Sequence, residues 1–285
     1  MPQTIVIGFD GSAESRDALE LGGRIARLEG ATVIVVACFP PPRADMDEGG
    51  FERRLAEDSA PLFAQARSRF QGLGVRTVAL GASSPAEALH DVAEAEQAAA
   101  IVVGSTHRGA IGRILPGSVG EQLLAGAPCS VIVAPRGFAR GEHFGFGVIG
   151  VAHDGSAESR IALAEGARLA AAMDGTLRLI RAADERARVD DERTALEGEA
   201  ASAGVGSHVE AVLVEGPAAP VLADQGIELD LLVIGSRGRG PVRRTLLGSV
   251  SAEVMRTAPC PVWVTPRGAG AALERDDRAE SVSRS

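Results

Sequence analysis

Short, continuous apolar runs alternate along this chain with amphipathic stretches, and that alternation predicts its elements. Residues 4–9 form an uninterrupted apolar run that stops at Asp10-Gly11-Ser12. A helical pattern over about 15–28 follows, with Leu19, Ile25 and Leu28 on its apolar face and Gly30 as its closing residue. Residues 32–38 are a second apolar run, and 39–50 a loop whose three prolines suit neither a ladder nor a helix interior. An amphipathic helix is expected over 51–71, with Leu55, Leu62, Phe63 and Phe70 in the core, then a strand over 75–80. Ser84-Pro85 has the cap and first-turn chemistry of a helix that reaches about residue 97. A strand over 100–104, a loop over 105–116, a helix from Gly117-Ser118 to about Gly126 and a strand over 130–134 complete the unit. Strands this apolar are expected where helices cover both faces of a parallel sheet.

After a polar connection the pattern restarts. Asp10-Gly-Ser-Ala-Glu-Ser-Arg16 returns letter for letter as Asp154-Gly-Ser-Ala-Glu-Ser-Arg160. Gly104-Ser105 returns as Gly235-Ser236, Gly117-Ser118-Val119 as Gly248-Ser249-Val250, and Ala-Pro-Cys129 as Ala-Pro-Cys260. The offset falls from 144 (Asp10 to Asp154) to 131 (Gly104 to Gly235), so the second copy is 13 residues shorter. The deletion lies where the first copy has its proline-rich loop and longer helix. The expectation is two tandem doubly wound α/β domains, over 1–137 and 146–268, each a five-stranded parallel sheet of order 3-2-1-4-5, with a disordered tail over 269–285. Strands are expected over 147–152, 176–182, 208–214, 230–235 and 261–265, with helices over 159–173, 185–203, 217–225 and 248–257. Arg178 and Arg181 interrupt the apolar pattern of the second strand. Arg181 either faces a ligand or snorkels.

Composition narrows the function. Net charge is −9, which argues against bulk binding to nucleic acid. The chain has no lysine, which excludes a lysine-bearing P-loop and Schiff-base chemistry, and no tyrosine to act as an acid. Cys38, Cys129 and Cys260 are an odd, widely spaced set that reads as small core residues and not as a disulfide framework. No apolar stretch is long enough for a membrane span and the N-terminus lacks signal-peptide character, so the chain reads as soluble and cytoplasmic. None of the five histidines has metal-ligand spacing to a second ligand. His153 and Asp154 are adjacent on a strand end and point to opposite faces, which argues against a dyad.

The most distinctive chemistry is the stretch from Gly235 to Ser249. A buried strand runs into a loop with three further glycines before Gly248 and with Arg237, Arg239, Arg243 and Arg244, and a helix starts at Gly248-Ser249. Glycines permit close backbone approach, helix N-termini attract anions and guanidinium forks suit phosphate. A solvated glycine-arginine loop is the plainer alternative. In a doubly wound sheet the first and fourth strands flank the switch point, so Asp10 or Asp154 would share a crevice with a glycine loop and a helix start. Each aspartate either contacts a ligand there or merely holds the turn before the next helix.

With these motifs in place the chain resembles the universal stress proteins in their tandem form, over both copies. Many of them carry an ATP-binding loop of the form Gly-x2-Gly-x9-Gly-Ser/Thr, which Gly235, Gly238 and Gly248-Ser249 match in full. The resemblance implies that Gly235 and Gly238 border ribose and phosphates and that Gly248, Ser249 and Val250 present the phosphate turn. It places Asp154 by the adenosine and backbone near Ala182 at the base edge. A weaker second site would comprise Asp10, Cys38, Gly104, His107, Gly117, Ser118 and Val119. There His107 stands where the second glycine belongs and Pro116 removes a donor before the turn. The resemblance also implies that the fifth strands pack together as an intrachain pseudo-dimer, which leaves room for a larger homo-oligomer. The expected function is an ATP-binding sensor or regulator, with Mg as a possible companion ion and an unidentified protein partner. Membrane and nucleic-acid partners are not expected. An interaction module without nucleotide and, less favoured, an ATP-dependent enzyme are the alternatives; no catalytic constellation is visible.

Overall fold

The computed structural model describes residues 3–42, 44, 46–106, 117–141, 147–183, 189–203, 208–236 and 247–266. The expected tail over 269–285 lies outside them. The first copy runs β1 (Thr4–Gly8), α1 (Ala13–Glu29), β2 (Thr32–Phe39), α2 (Glu48–Arg69), β3 (Val75–Gly81), α3 (Pro85–Ala95), β4 (Ala100–Gly104), α4 (Ser118–Gly126) and β5 (Ser130–Ala134). The second runs β6 (Val148–Ala152), α5 (Ala157–Ala172), β7 (Thr176–Ala183), α6 (Val189–Ser202), β8 (Val209–Glu215), α7 (Ala218–Gln225), β9 (Leu231–Gly235), α8 (Ser249–Thr257) and β10 (Val262–Thr265). Short 3-10 turns follow β5 (Phe138–Arg140) and α7 (Gly226–Glu228).

Each copy has the expected strand order, and the two join in one ten-stranded sheet, β3-β2-β1-β4-β5-β10-β9-β6-β7-β8. Pairing is parallel within each copy. The seam is antiparallel, alone among the ladders of the described residues: Val262 faces Val133, Trp263 faces Ile132 and Val264 faces Val131. Neither fifth strand is therefore an outer edge: each covers the other's apolar backbone edge. Trp263 and Ile132 are buried, in a core layer they share with α1 and α5. A second apolar layer on the opposite face includes Leu89, Leu123, Leu222 and Val254 from α3, α4, α7 and α8.

The helix starts follow the sequence. Ser12, Ser84 and Ser156 cap α1, α3 and α5 by accepting from the N–H three residues on, and Pro85 sits in the first turn of α3. Helix α2 starts earlier than its apolar period suggested, because Asp47 accepts from Gly50 N at 2.9 Å and extends it by nearly a turn. Its core residues are Phe63 and Ala66 together with Phe70 just beyond its end, whereas Leu55 and Leu62 are only half-buried. Helix α6 is described only from Val189, so the expected start at Glu185 lies outside the described residues.

Two polar contacts tie the copies together. The Asp17 carboxylate, buried in α1, accepts from Gly137 N and Ala139 N at 2.7 Å each and so clamps the turn that leaves the first copy. Phe138 in that turn is buried, with the Arg24 guanidinium 5.1 Å from its ring centre. Across the seam Arg168 of α5 reaches Glu29 of α1 at 2.7 Å and also binds Glu165. The Glu29 side chain is only 2 % exposed. Burial raises its carboxyl above the ordinary glutamate value, and the nearby Arg168 charge opposes that shift without cancelling it.

Asp17→Ala is expected to lower the unfolding free energy by roughly 3 kcal/mol, since it deletes two hydrogen bonds to a charged group. Arg168→Ala is expected to cost about 3 kcal/mol at pH 8, because it strands a buried carboxylate. That loss should shrink toward pH 5, where the orphaned Glu29 takes up a proton. Urea unfolding of each variant at the two pH values measures both.

Candidate functional site

The carboxyl ends of β1 and β4 lie side by side, as their parallel register requires. Between them and the start of α4 opens a cavity of about 790 Å³. Asp10, Cys38, Gly104, Gly117, Ser118 and Val119 all line it, so one crevice gathers six of the seven residues expected for the first site. The seventh, His107, lies outside the described residues, as does Pro116. The sequence did not single out Val36, Leu89 and Val103, which form the apolar floor, or Glu14 and Glu121 at the rim. Among the described lining residues every charged group is a carboxylate.

The two helix starts at this crevice differ in a way that matters for an anion. At α1 the donors are satisfied locally: Asp10 Oδ1 accepts from Ser12 N at 2.9 Å, and Ser12 Oγ accepts from Ser15 N at 3.1 Å. At α4 the N-cap is Gly117, in extended backbone, and no side chain caps the helix. The first N–H groups of α4 therefore open toward the cavity without an intrahelical acceptor. Helix α8 repeats this with Gly248 as an uncapped N-cap. Asp10 thus does hold the turn before α1, and it also lines the cavity. Burial alone would raise its carboxyl, but the hydrogen bonds from Ser12 and Ser15 outweigh burial and lower it, so the group is an ionised acceptor at neutral pH.

Gly104 has a reason of its own. A Cβ built there would stand 2.1 Å from the carbonyl oxygen of Glu14, so glycine is demanded by the backbone of α1 passing over the strand end. Gly117 is different, since among the described residues a Cβ there meets Thr106 Cγ2, at 3.6 Å, an ordinary van der Waals contact. Both glycines line the cavity, and Gly104 is in addition required by the close passage of α1.

The second copy places Asp154 just beyond β6, Ala182 at the end of β7, Gly235 at the end of β9 and Gly248, Ser249 and Val250 at the start of α8. Asp154 Oδ1 accepts from Ser156 N at 2.9 Å, as in the first copy. Gly248 N donates to Ser236 O at 2.7 Å. Ser251 Oγ donates to Gly235 O at 2.8 Å and fastens α8 to the strand end. Gly238 and the four loop arginines lie outside the described residues.

Both strand arginines of β7 are held by carboxylates. Arg178 binds Glu210 and Glu228 at 2.8 Å each. Arg181 donates to the His153 carbonyl at 3.2 Å and to Glu199 of α6 at 2.7 Å, so its guanidinium is engaged within the fold. His153 itself is buried, with Nε2 2.7 Å from Glu199 Oε2 and Nδ1 3.3 Å from the Ser159 carbonyl. It thus turns away from Asp154's side chain, as the alternation along the strand predicts. Burial raises the Cys38 thiol and pushes Cys129 and Cys260 up to about 12, which suits core residues and not nucleophiles. Among the described residues no three His, Cys, Asp or Glu side chains cluster to hold a metal, and no helix is long and apolar enough to cross a membrane.

Comparison with known proteins agrees with this architecture. The profile described as universal stress protein family matches twice, over residues 1–135 and 145–266. A universal stress protein of Mycobacterium tuberculosis is 31% identical over 303 residues, covering 91% of this chain and 94% of that protein. One from Thermus aquaticus is 31% identical over 136 residues, 47% of this chain and 98% of its own length. Among solved structures, a universal stress protein from Archaeoglobus fulgidus superposes with a TM-score of 0.75 at 23% identity, covering 93% of this chain and 98% of that one. At that identity the likeness speaks for the fold. The repeated motifs, the sheet order and the double match lead to one conclusion: this chain belongs to the universal stress protein family, in its tandem two-domain form.

Proposed function

We propose that the protein is a cytoplasmic nucleotide-binding regulator of the stress response, with ATP as its ligand and two sites, one in each half (about 1–137 and 146–268). The observation that carries this reading is the 790 Å³ crevice that ends on an uncapped helix N-terminus at Gly117. Its volume suits a nucleotide. Its apolar floor of Val36, Leu89 and Val103 fits a base, and the ionised Asp10 is an acceptor for ribose hydroxyls. Phosphate would meet the backbone N–H groups of the α4 turn. The carboxylates at the rim favour a phosphate chain that arrives with its Mg partly neutralising it. In the second half Asp154, Ala182, Gly235, Gly238, Gly248, Ser249 and Val250 take the equivalent roles. The arginine-rich sequence of that loop supports tighter phosphate binding there than in the His107-bearing half.

ATP acts here as a signal and not chiefly as fuel. The crevice offers acceptors and backbone donors, and the described residues around it supply no paired nucleophile and base. A ligand that bridges the glycine loop and the strand ends would order the surface between them and so change what a protein partner meets there.

Calorimetric titration of the nucleotide-stripped chain with Mg-ATP is expected to show two sites, the tighter one lost in Gly248→Val and the weaker one in Gly117→Val. No heat and no thermal stabilisation at millimolar Mg-ATP would sink the reading, since ligand at about 100 times its Kd stabilises by roughly 2.7 kcal/mol. Turnover of ATP well above a slow background would replace a sensor with an enzyme. Gly104→Ala is expected to destabilise the fold by about 2 kcal/mol or more through its collision with α1, whereas Gly117→Val leaves the apo protein near parental stability. Thermal melts without nucleotide separate these two glycines.

A further inference from the structure

The first copy carries a stretch that the second does without. Between β2 and α2 it has Pro40-Pro41-Pro42, whereas the shorter second copy has no proline between β7 and α6. The second copy completes the same strand order without those prolines, so the sheet does not require them. Two large side chains of α2 next to this loop also fall short of the core. Leu55, whose period points it at the core, is only half-buried, and so is Phe51 near the start of the helix. Helix α6 has no aromatic residue at all.

These residues frame a pocket of about 130 Å³ between the proline loop and α2. Its apolar walls are Phe39, the three prolines, Met46, Phe51 and Leu55, and Arg54 and Asp58 complete the described lining. Phe51 is fixed in place: its ring lies against Gly81 at the end of β3, where any Cβ would collide with it. Asp47 fixes the start of the helix by accepting from Gly50 N at 2.9 Å. The volume suits a single ring, since an apolar cavity of about 150 Å³ takes up benzene. Proline faces and aromatic rings pair in the same way when proline-rich segments are recognised. The pocket is a neighbour of the crevice, with Cys38 lining the crevice and Phe39 this pocket.

The surface around the pocket is acidic. Residues 46–58 carry Asp47, Glu48, Glu52, Glu57 and Asp58 against Arg53 and Arg54, a net charge of −3, and all seven side chains are on exposed residues. Arg54 and Asp58 form an exposed pair 3.5 Å apart, which costs little to rearrange. We propose that this pocket docks a partner protein through one aromatic side chain borne on a basic segment. The ring enters between the prolines and Phe51, and the flanking cations meet the carboxylates of α2. An aromatic anchor in a pocket ringed by charge is the arrangement of an interface hot spot. Complementary charge selects the partner, and the ring fixes its register. The second copy, without the prolines or an aromatic in α6, does not offer this surface.

The test is calorimetric titration of the full-length protein, free of nucleotide, with a blocked peptide in which a phenylalanine is flanked by two lysines on each side. The expected result is saturable binding that weakens about tenfold when alanine replaces the phenylalanine, the loss typical of an anchor residue. Glutamates in place of the lysines should weaken it further. Leu55→Ala and Pro41→Ser should each lower affinity for the phenylalanine peptide by about fivefold or more. Pro41 is exposed in the loop, so its variant reads the pocket even where Leu55→Ala lowers the melting temperature. Equal binding of the phenylalanine and alanine peptides would overturn the proposal, since charge alone would then carry the contact. So would unchanged affinity in both pocket variants, or no heat at millimolar peptide. Mg-ATP titration of the same protein bears on the nucleotide reading alone, so the two can fail separately.

Discussion

The structure depends on one ladder of backbone hydrogen bonds, the antiparallel pairing of β5 with β10. Each copy builds a five-stranded sheet whose fifth strand is apolar and, alone, would present an unpaired edge. Pairing the two edges removes both liabilities and makes one sheet from two. Everything else that joins the copies is arranged around that line: Trp263 against Ile132 in the layer under α1 and α5, Arg168 against Glu29 above it, and Asp17 holding the chain where it leaves the first copy. The outer strands β3 and β8 are half-exposed and dressed with charge, with Arg76 bound to Glu96 and Glu210 to Arg178. Growth of the sheet is thus discouraged at its outer rims and satisfied at its centre.

That central join also fixes where the candidate sites lie. The switch point of each half is set by β1 beside β4 and by β6 beside β9, with two strands between it and the seam on either side. The two candidate sites therefore belong to one continuous sheet. Within each, the division of labour between helix starts is physical. Serine caps close α1 and α5 to ligands, and glycine caps leave α4 and α8 open.

Much of this was legible in the sequence, for identifiable reasons. Uninterrupted apolar runs can only be buried strands in a sheet covered on both sides, and the repeat gave every element two chances to be read. The expected strand order put the two distinctive strand ends side by side, and Asp10, Cys38, Gly104, Gly117, Ser118 and Val119 do meet in one cavity. What escaped was whatever depended on a partner distant in the chain. Arg181 looked like an anomaly because Glu199 lies on another element, and Glu29 and Arg168 are 139 residues apart. The second reason for Gly104, the carbonyl of Glu14 above it, was invisible for the same cause. Asp47 extended α2 beyond its apolar period because a cap acts through one side chain and leaves no periodic trace.

The register of the seam carries a last consequence. With the repeat offset of 131, Val262, Trp263 and Val264 correspond to Val131, Ile132 and Val133, and they face Val133, Ile132 and Val131. The ladder is therefore self-complementary about a point midway between Ile132 and Trp263. A half-length chain ending after β5 already possesses the complete hydrogen-bonding surface needed to mate with its twin, residue for residue. What it would lack is the indole, leaving a hollow between two isoleucines where the fused protein has a filled core. Fusion of the halves freed one side of a symmetric contact to enlarge without clashing with its own copy, and the lone tryptophan of this chain marks where that freedom was taken.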